Sequence, residues 1–163
     1  MHFETVLSLH VICFIVLNAS LIILSLPPFS CRKSISDQKK HEENKFKKID
    51  KERYVGLDCE MVGTGDNGKV SVLARACLVN FDGEVIYDEF VRPESYVTDF
   101  RTKYSGVRKK DLRVGQAVSF QECIKAVHTL IKGKILVGHA LHNDLAVLKL
   151  ENIHRANIRD TAR

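Results

Sequence analysis

Asp58 and Glu60 stand two residues apart in Tyr54-Val55-Gly56-Leu57-Asp58-Cys59-Glu60-Met61-Val62, a run that is otherwise almost wholly apolar. In a strand the side-chain period is two, so both carboxylates face one way and Cys59 faces the other. Two acids side by side repel, and each costs energy to bury unpaired. A cation between them removes both penalties. A donor set of carboxylate oxygens alone suits Mg²⁺ or Mn²⁺. The competing reading is an exposed strand edge with two solvated acids.

Asp144 bears on that choice. It follows a short apolar run, Ile135-Leu136-Val137, and the turn Gly138-His139, at the start of a helical stretch. In open α/β sheets the carboxyl ends of strands converge on the ligand site. If the strand at 135 lies beside and parallel to that at 54, Asp144 projects toward Asp58 and Glu60. The alternative is a helix N-cap, which Asp also serves well.

The elements that must position these acids follow from turn signals and periodicity. Strands are expected over residues 54–62, 70–80 and 84–91, the last two joined by Phe81-Asp82-Gly83, a strong hairpin signal. Residues 92–118 read as irregular. Ser119-Phe120-Gln121-Glu122 fits a capping box. Phe120, Ile124, Val127 and Leu130 or Ile131 then recur at helical spacing as far as Gly133. A buried strand at 135–137, a helix at 143–150 and a strand beginning at 157–160 complete the order. A three-strand meander followed by helix, strand, helix and strand predicts an α/β layer structure with a mixed sheet.

The chain has 163 residues and a net charge of +5. Residues 31–53 hold nine basic and five acidic side chains, so they contribute +4 and read as a charged linker. Residues 54–163 are then only mildly basic, at +2. A polyanionic partner and a merely solvated tether both fit that balance. The five cysteines form no CxxC pair, which argues against zinc and a disulfide framework. Residues 6–26 are a nearly unbroken apolar run ending at Pro27-Pro28, long enough to cross a bilayer. The basic residues nearby all follow it, so as a membrane anchor it would leave the rest of the chain on the cytosolic side. An artefactual start over residues 1–30 is the alternative.

Several stretches beyond the acids match one family. Tyr54-Val55-Gly56-Leu57-Asp58-Cys59-Glu60-Met61-Val62-Gly63 resembles the first exonuclease motif of the DEDD superfamily, in its RNA exonuclease 4 branch. Leu73-Ala74-Arg75, Val97-Thr98-Asp99-Phe100-Arg101-Thr102 and Ser105-Gly106-Val107 are similar to the segments that follow it. Leu136-Val137-Gly138-His139-Ala140-Leu141-His142-Asn143-Asp144-Leu145 resembles the second motif, and Ile158-Arg159-Asp160-Thr161 the strand after it. The resemblance runs in order over residues 54–163, the span expected to form the exonuclease domain.

It implies an RNase H-like fold, a mixed sheet flanked by helices. It also implies 3′→5′ exoribonuclease activity by two-metal-ion phosphodiester hydrolysis. Asp58 would ligate both Mg²⁺ or Mn²⁺ ions, Glu60 the one that activates water, and Asp144 the second. Met61 and Val62 would lie against the terminal nucleotide of a single-stranded RNA 3′ end. Ribosomal RNA processing in the nucleus or nucleolus is the setting the family suggests, and no protein partner can be inferred. The family's third motif supplies a general-base His and a fourth acid beyond the Arg-Asp-Thr strand. The chain reaches Arg163 without them, so a domain incomplete at its C-terminus and weak or inactive alone is expected. The alternative function is a catalytically inactive RNA-binding remnant. His139 reads as packing its motif and Asp160 as structural.

Overall fold

A computed structural model describes residues 50–150 and 152–162. The apolar run at 6–26 and all of the 31–53 linker except its last four residues lie outside the described residues. Among the described residues no helix is long and apolar enough to cross a membrane.

β1 (Tyr54–Thr64), β2 (Val70–Asn80) and β3 (Val85–Arg92) form the expected antiparallel meander, with β1 running two residues past the predicted end. The β2–β3 turn is closed by Asn80. Its carbonyl accepts from the Gly83 amide at 3.1 Å, and its side-chain Oδ1 accepts from the amides of Asp82 and Glu84 at 3.0 and 2.9 Å. Gly83 sits at φ +84°, a conformation glycine adopts without strain.

β6 (Ile135–Gly138) lies beside β1 and parallel to it, pairing Tyr54 with Ile135 and Gly56 with Val137. β7 (Ile158–Asp160) pairs parallel with β6. With a short strand β5 (Val118–Ser119) at one edge, the sheet order is β5-β3-β2-β1-β6-β7, a mixed sheet as expected. Residues 92–118 depart from the irregular segment expected. They hold β4 (Val97–Asp99), which pairs with the far end of β1, α1 (Thr102–Ser105), and the start of β5 (Val118–Ser119), which pairs with β3. Strands of two and three residues are too short to show an alternating pattern.

α2 (Phe120–Ile131) begins at the predicted capping box. Ser119 Oγ accepts from the Glu122 amide at 3.2 Å, and Glu122 Oε2 accepts from the Ser119 amide at 2.8 Å. α3 (His142–Val147) starts one residue earlier and ends three residues earlier than the 143–150 expected. Lys149 turns left-handed at φ +55°. The Leu150 amide then reaches back to the Leu145 carbonyl at 2.8 Å and the Lys149 amide to Ala146 at 3.1 Å. That pair of bonds is a Schellman closure, here with lysine where glycine is usual.

Among the described residues two apolar clusters of four or more buried side chains hold the layers. The larger joins Val55, Leu57 and Cys59 of β1 to Leu78, Leu136, Leu141 and Leu148 and to Cys123 and Val127 of α2. The smaller packs Val62 and Ala74 against Val107 and Leu112 of the segment after α1. Between Glu60 and Met61 the register slips, so that Glu60 faces Arg75 and Met61 faces Leu73. Ala74 is the extra residue of this β-bulge, which sits beside the acidic pair.

Candidate active site

β6 ends at Gly138, but β1 continues, and β4 takes up its edge only at Gly63. The stretch of β1 between them carries Asp58, Cys59 and Glu60 and lacks a neighbouring strand on that side. A buried amide there needs another acceptor. Asp144 supplies it: its Oδ1 accepts from the Cys59 amide at 2.9 Å. Asp144 is only 4% exposed and stands third in α3, not at the N-cap, which is Leu141. The N-cap reading is therefore replaced by a carboxylate aimed at the open edge of β1, beside Asp58.

The turn that delivers Asp144 is held from β7. Asp160 accepts from the amides of Ala140 and Leu141 at 2.8 and 3.1 Å, and from that of Ala162 at 3.0 Å. Ala140 is left-handed at φ +53°. Gly138 has no room for a side chain, because a Cβ would lie 2.7 Å from the Leu57 carbonyl oxygen and collide with the Leu141 side chain. His139 Nδ1 is 2.9 Å from Thr161 Oγ1, so its ring is tied to the strand end while remaining exposed on the cleft wall.

The cleft beside these acids encloses about 440 Å³ and is lined by Asp58, Cys59, Met61, Ser71, Arg101, His139, Asn143, Asp144, Ala146 and Val147. Met61 is one of these lining residues, whereas Val62 is fully buried in the smaller apolar cluster with Val107 and Leu112. Glu60 is partly buried one pleat beyond Asp58 and is not part of the cleft wall.

Burial pushes the Asp58 carboxyl above its usual range, against the pull of Arg75. Glu60 is pushed up to about 7 by burial and by the charge of Asp58, again opposed by Arg75. Asp144 is also pushed up to about 7, by burial and by Asp58, with the Cys59 amide working against the shift. Arg75 itself is clamped by Asp88 through two bonds of 2.7 Å. Among the described residues no three His, Cys, Asp or Glu side chains converge to metal-ligand spacing. The donor chemistry nevertheless fits a hard divalent cation: three carboxylates sharing one region, whose repulsion and burial a positive charge would relieve.

Sequence reasoning did not single out Arg101 or Ser71 as wall residues. Arg101 Nη1 donates to Ser71 Oγ at 2.8 Å and Nη2 to the Gly68 carbonyl at 2.7 Å. The signal lay in the Val97–Thr102 stretch, whose family likeness was legible but whose place in the fold was not.

A family model described as Exonuclease (RNase_T) matches residues 55–161. This chain belongs to the exonuclease family. The exonuclease match takes in all three acids, the cleft wall and Asp160. The chain is 56% identical over 109 residues to RNA exonuclease 4 of Mycosarcoma maydis, and 49% identical over 110 residues to the apoptosis-enhancing nuclease of Homo sapiens. Each alignment covers 67% of this chain but only 28% and 33% of the relative. The chain therefore spans less than two fifths of the length of the curated relatives it matches (26–37%). The exonuclease fold is also that of the Neurospora crassa Pan2 catalytic unit, with a TM-score of 0.60 at 22% identity over 69% of this chain and 19% of that one. The Saccharomyces cerevisiae Pan2 module in complex with AACCAA RNA gives 0.60 at 26% identity over 68% of this chain and 21% of that one.

Proposed function

We propose that the cleft hydrolyses RNA from its 3′ end, with Asp58, Glu60 and Asp144 as ligands of two divalent cations, Mg²⁺ or Mn²⁺. The observation that carries this is Asp144, buried at the unpaired edge of β1 next to Asp58 although the two carboxylates repel. Two divalent ions bound there would lower the pKa of an attacking water and stabilise the charge on the leaving oxygen. The chain's own residues do the rest. Asp58 would hold both ions, Glu60 the one that activates water and Asp144 the other, the roles the family resemblance implies. Met61 offers an apolar wall for the terminal base or sugar. Arg101, braced by Gly68 and Ser71, brings a positive charge to the cleft wall. The relatives named RNA exonuclease 4 support RNA as substrate, and nuclear processing of ribosomal RNA is the cellular role the resemblance favours.

The test is digestion of 5′-labelled single-stranded RNA with Mn²⁺ or Mg²⁺. It is run on the chain and, in parallel, on the chain joined to the segment that follows the Arg-Asp-Thr strand in a relative. Products shortening from the 3′ end are expected, lost with EDTA and reduced at least about 10²-fold in Asp58→Ala and Asp144→Ala. Calorimetry reports on the ligands separately. Equal Mn²⁺ affinity in the parent and Asp58→Ala, or intact RNA in both forms of the chain, would sink the proposal.

A further inference from the structure

The net positive charge of the described fold is concentrated in one segment. Residues 101–113 carry six basic side chains (Arg101, Lys103, Arg108, Lys109, Lys110, Arg113) and one acidic, Asp111. That is +5 in thirteen residues, as much as the whole chain's net charge, and it leaves the remainder of residues 54–163 at −3. Concentration of this kind is the electrostatic footprint of a polyanion path.

The segment is also anchored to the core and joins the cleft. Val107 (0% exposed) and Leu112 (9%) anchor it in the smaller apolar cluster with Val62. Thr102 Oγ1 donates to the Val107 carbonyl at 2.7 Å and Ser105 Oγ to that of Phe100 at 2.9 Å. Its first residue, Arg101, lines the cleft. With the apolar side chains pinned inward, Lys103, Lys109, Lys110 and Arg113 all stand exposed and form no salt bridge among the described residues. Tyr104 is 81% exposed, its ring 5.6 Å from Lys103 Nζ. A large aromatic ring held open to solvent among cations is poorly explained by folding. It has the chemistry of a base-stacking platform on a backbone track.

We infer that residues 101–113 form a second RNA-binding surface, continuous with the cleft wall at Arg101. It would hold the single strand upstream of the 3′ end, its lysines on phosphates and Tyr104 against a base. The inference rests on the reading of the cleft as the seat of an RNA 3′ end, and it adds a preference for longer strands.

The experiment measures binding of 5′-fluorescein oligoadenylates of roughly five and roughly twenty nucleotides, with Ca²⁺ replacing Mg²⁺ to suppress hydrolysis, across a salt series. Each phosphate contact contributes a slope of about 0.7 in log K against log salt for single strands. The variant K103Q/K109Q/K110Q/R113Q should lose about 2–3 from that slope on the long RNA and leave the short RNA unchanged. Tyr104→Ala should bind the long RNA about tenfold more weakly at an unchanged slope, and Tyr104→Phe should restore it. These are exposed side chains, and matching circular dichroism and melting midpoints verify the folds. An unchanged long-RNA slope in the quadruple variant overturns the inference, as does binding of that segment to anionic vesicles with no contribution to RNA. Loss of short-RNA binding in Asp58→Ala reports on the cleft alone, so the two readings fail separately.

Discussion

Glu60 and Asp144 hold protons up to about pH 7 because each is buried near Asp58 and gains little by ionising there. The linkage sign follows. A carboxyl whose folded pKa is raised above its unfolded value stabilises the fold fully below the unfolded value near 4, and that contribution disappears as pH rises through about 7. The cation-free chain should therefore lose stability between about pH 4 and pH 7, with Asp144 contributing on the order of 2 kcal/mol and the more exposed Glu60 less. Asp144→Asn should flatten the profile. On the proposed reading Mn²⁺ or Mg²⁺ would bind the ionised carboxylates, so the same ion should stabilise strongly at about pH 8 and hardly at about pH 5. Melting midpoints across pH with EDTA and with metal decide this. A profile that rises toward pH 8 in EDTA would show that these acids are not held as described.

At the level of elements, the acids depend on a turn that none of them belongs to. Asp160 on β7 satisfies the Ala140 and Leu141 amides and so sets the start of α3. Asp160→Ala should cost about 1–3 kcal/mol from the amides left without partners. It should also weaken Mn²⁺ binding, although Asp160 does not line the cleft. Restored affinity in Asp160→Asn, which keeps one acceptor oxygen, would separate positioning from general destabilisation. The elements themselves were largely legible. The meander, the capping box at Ser119 and the parallel strand at 135 all rest on strong local patterns: alternation, an Asp-Gly turn and a Ser-x-x-Glu cap. What escaped depends on long-range contact. β4 and β5 are strands only because β1 and β3 offer them edges. Val62 is buried only because residues 107 and 112 fold over it. Asp144 could be read as a cap until the open edge of β1 gave it a different amide.

For the whole molecule, the two apolar clusters divide the labour between cleft and surface. The larger fixes α2 and α3 and hence Asp144, while the smaller fixes the basic segment. Val107→Ala should open a cavity in the smaller cluster and cost about 2 kcal/mol. It should weaken long-RNA binding while leaving Mn²⁺ affinity near that of the parent. Calorimetry and anisotropy on one preparation test the division, and a parallel fall in both would show a single cooperative unit.

The order in which such a site comes into being is set by the same arrangement. β1 finds β2 across a short loop, but the Cys59 amide meets Asp144 from 85 residues away. Closing short loops costs less entropy than closing long ones, so local pairings tend to form first. During synthesis Asp58 and Glu60 leave the ribosome, and their meander can assemble, well before α3 exists. A nascent chain thus presents two acids of the candidate centre with nothing to complete it. The candidate centre is completed late, with the closing of β6 against β1, and an unfinished chain carries the meander without the site.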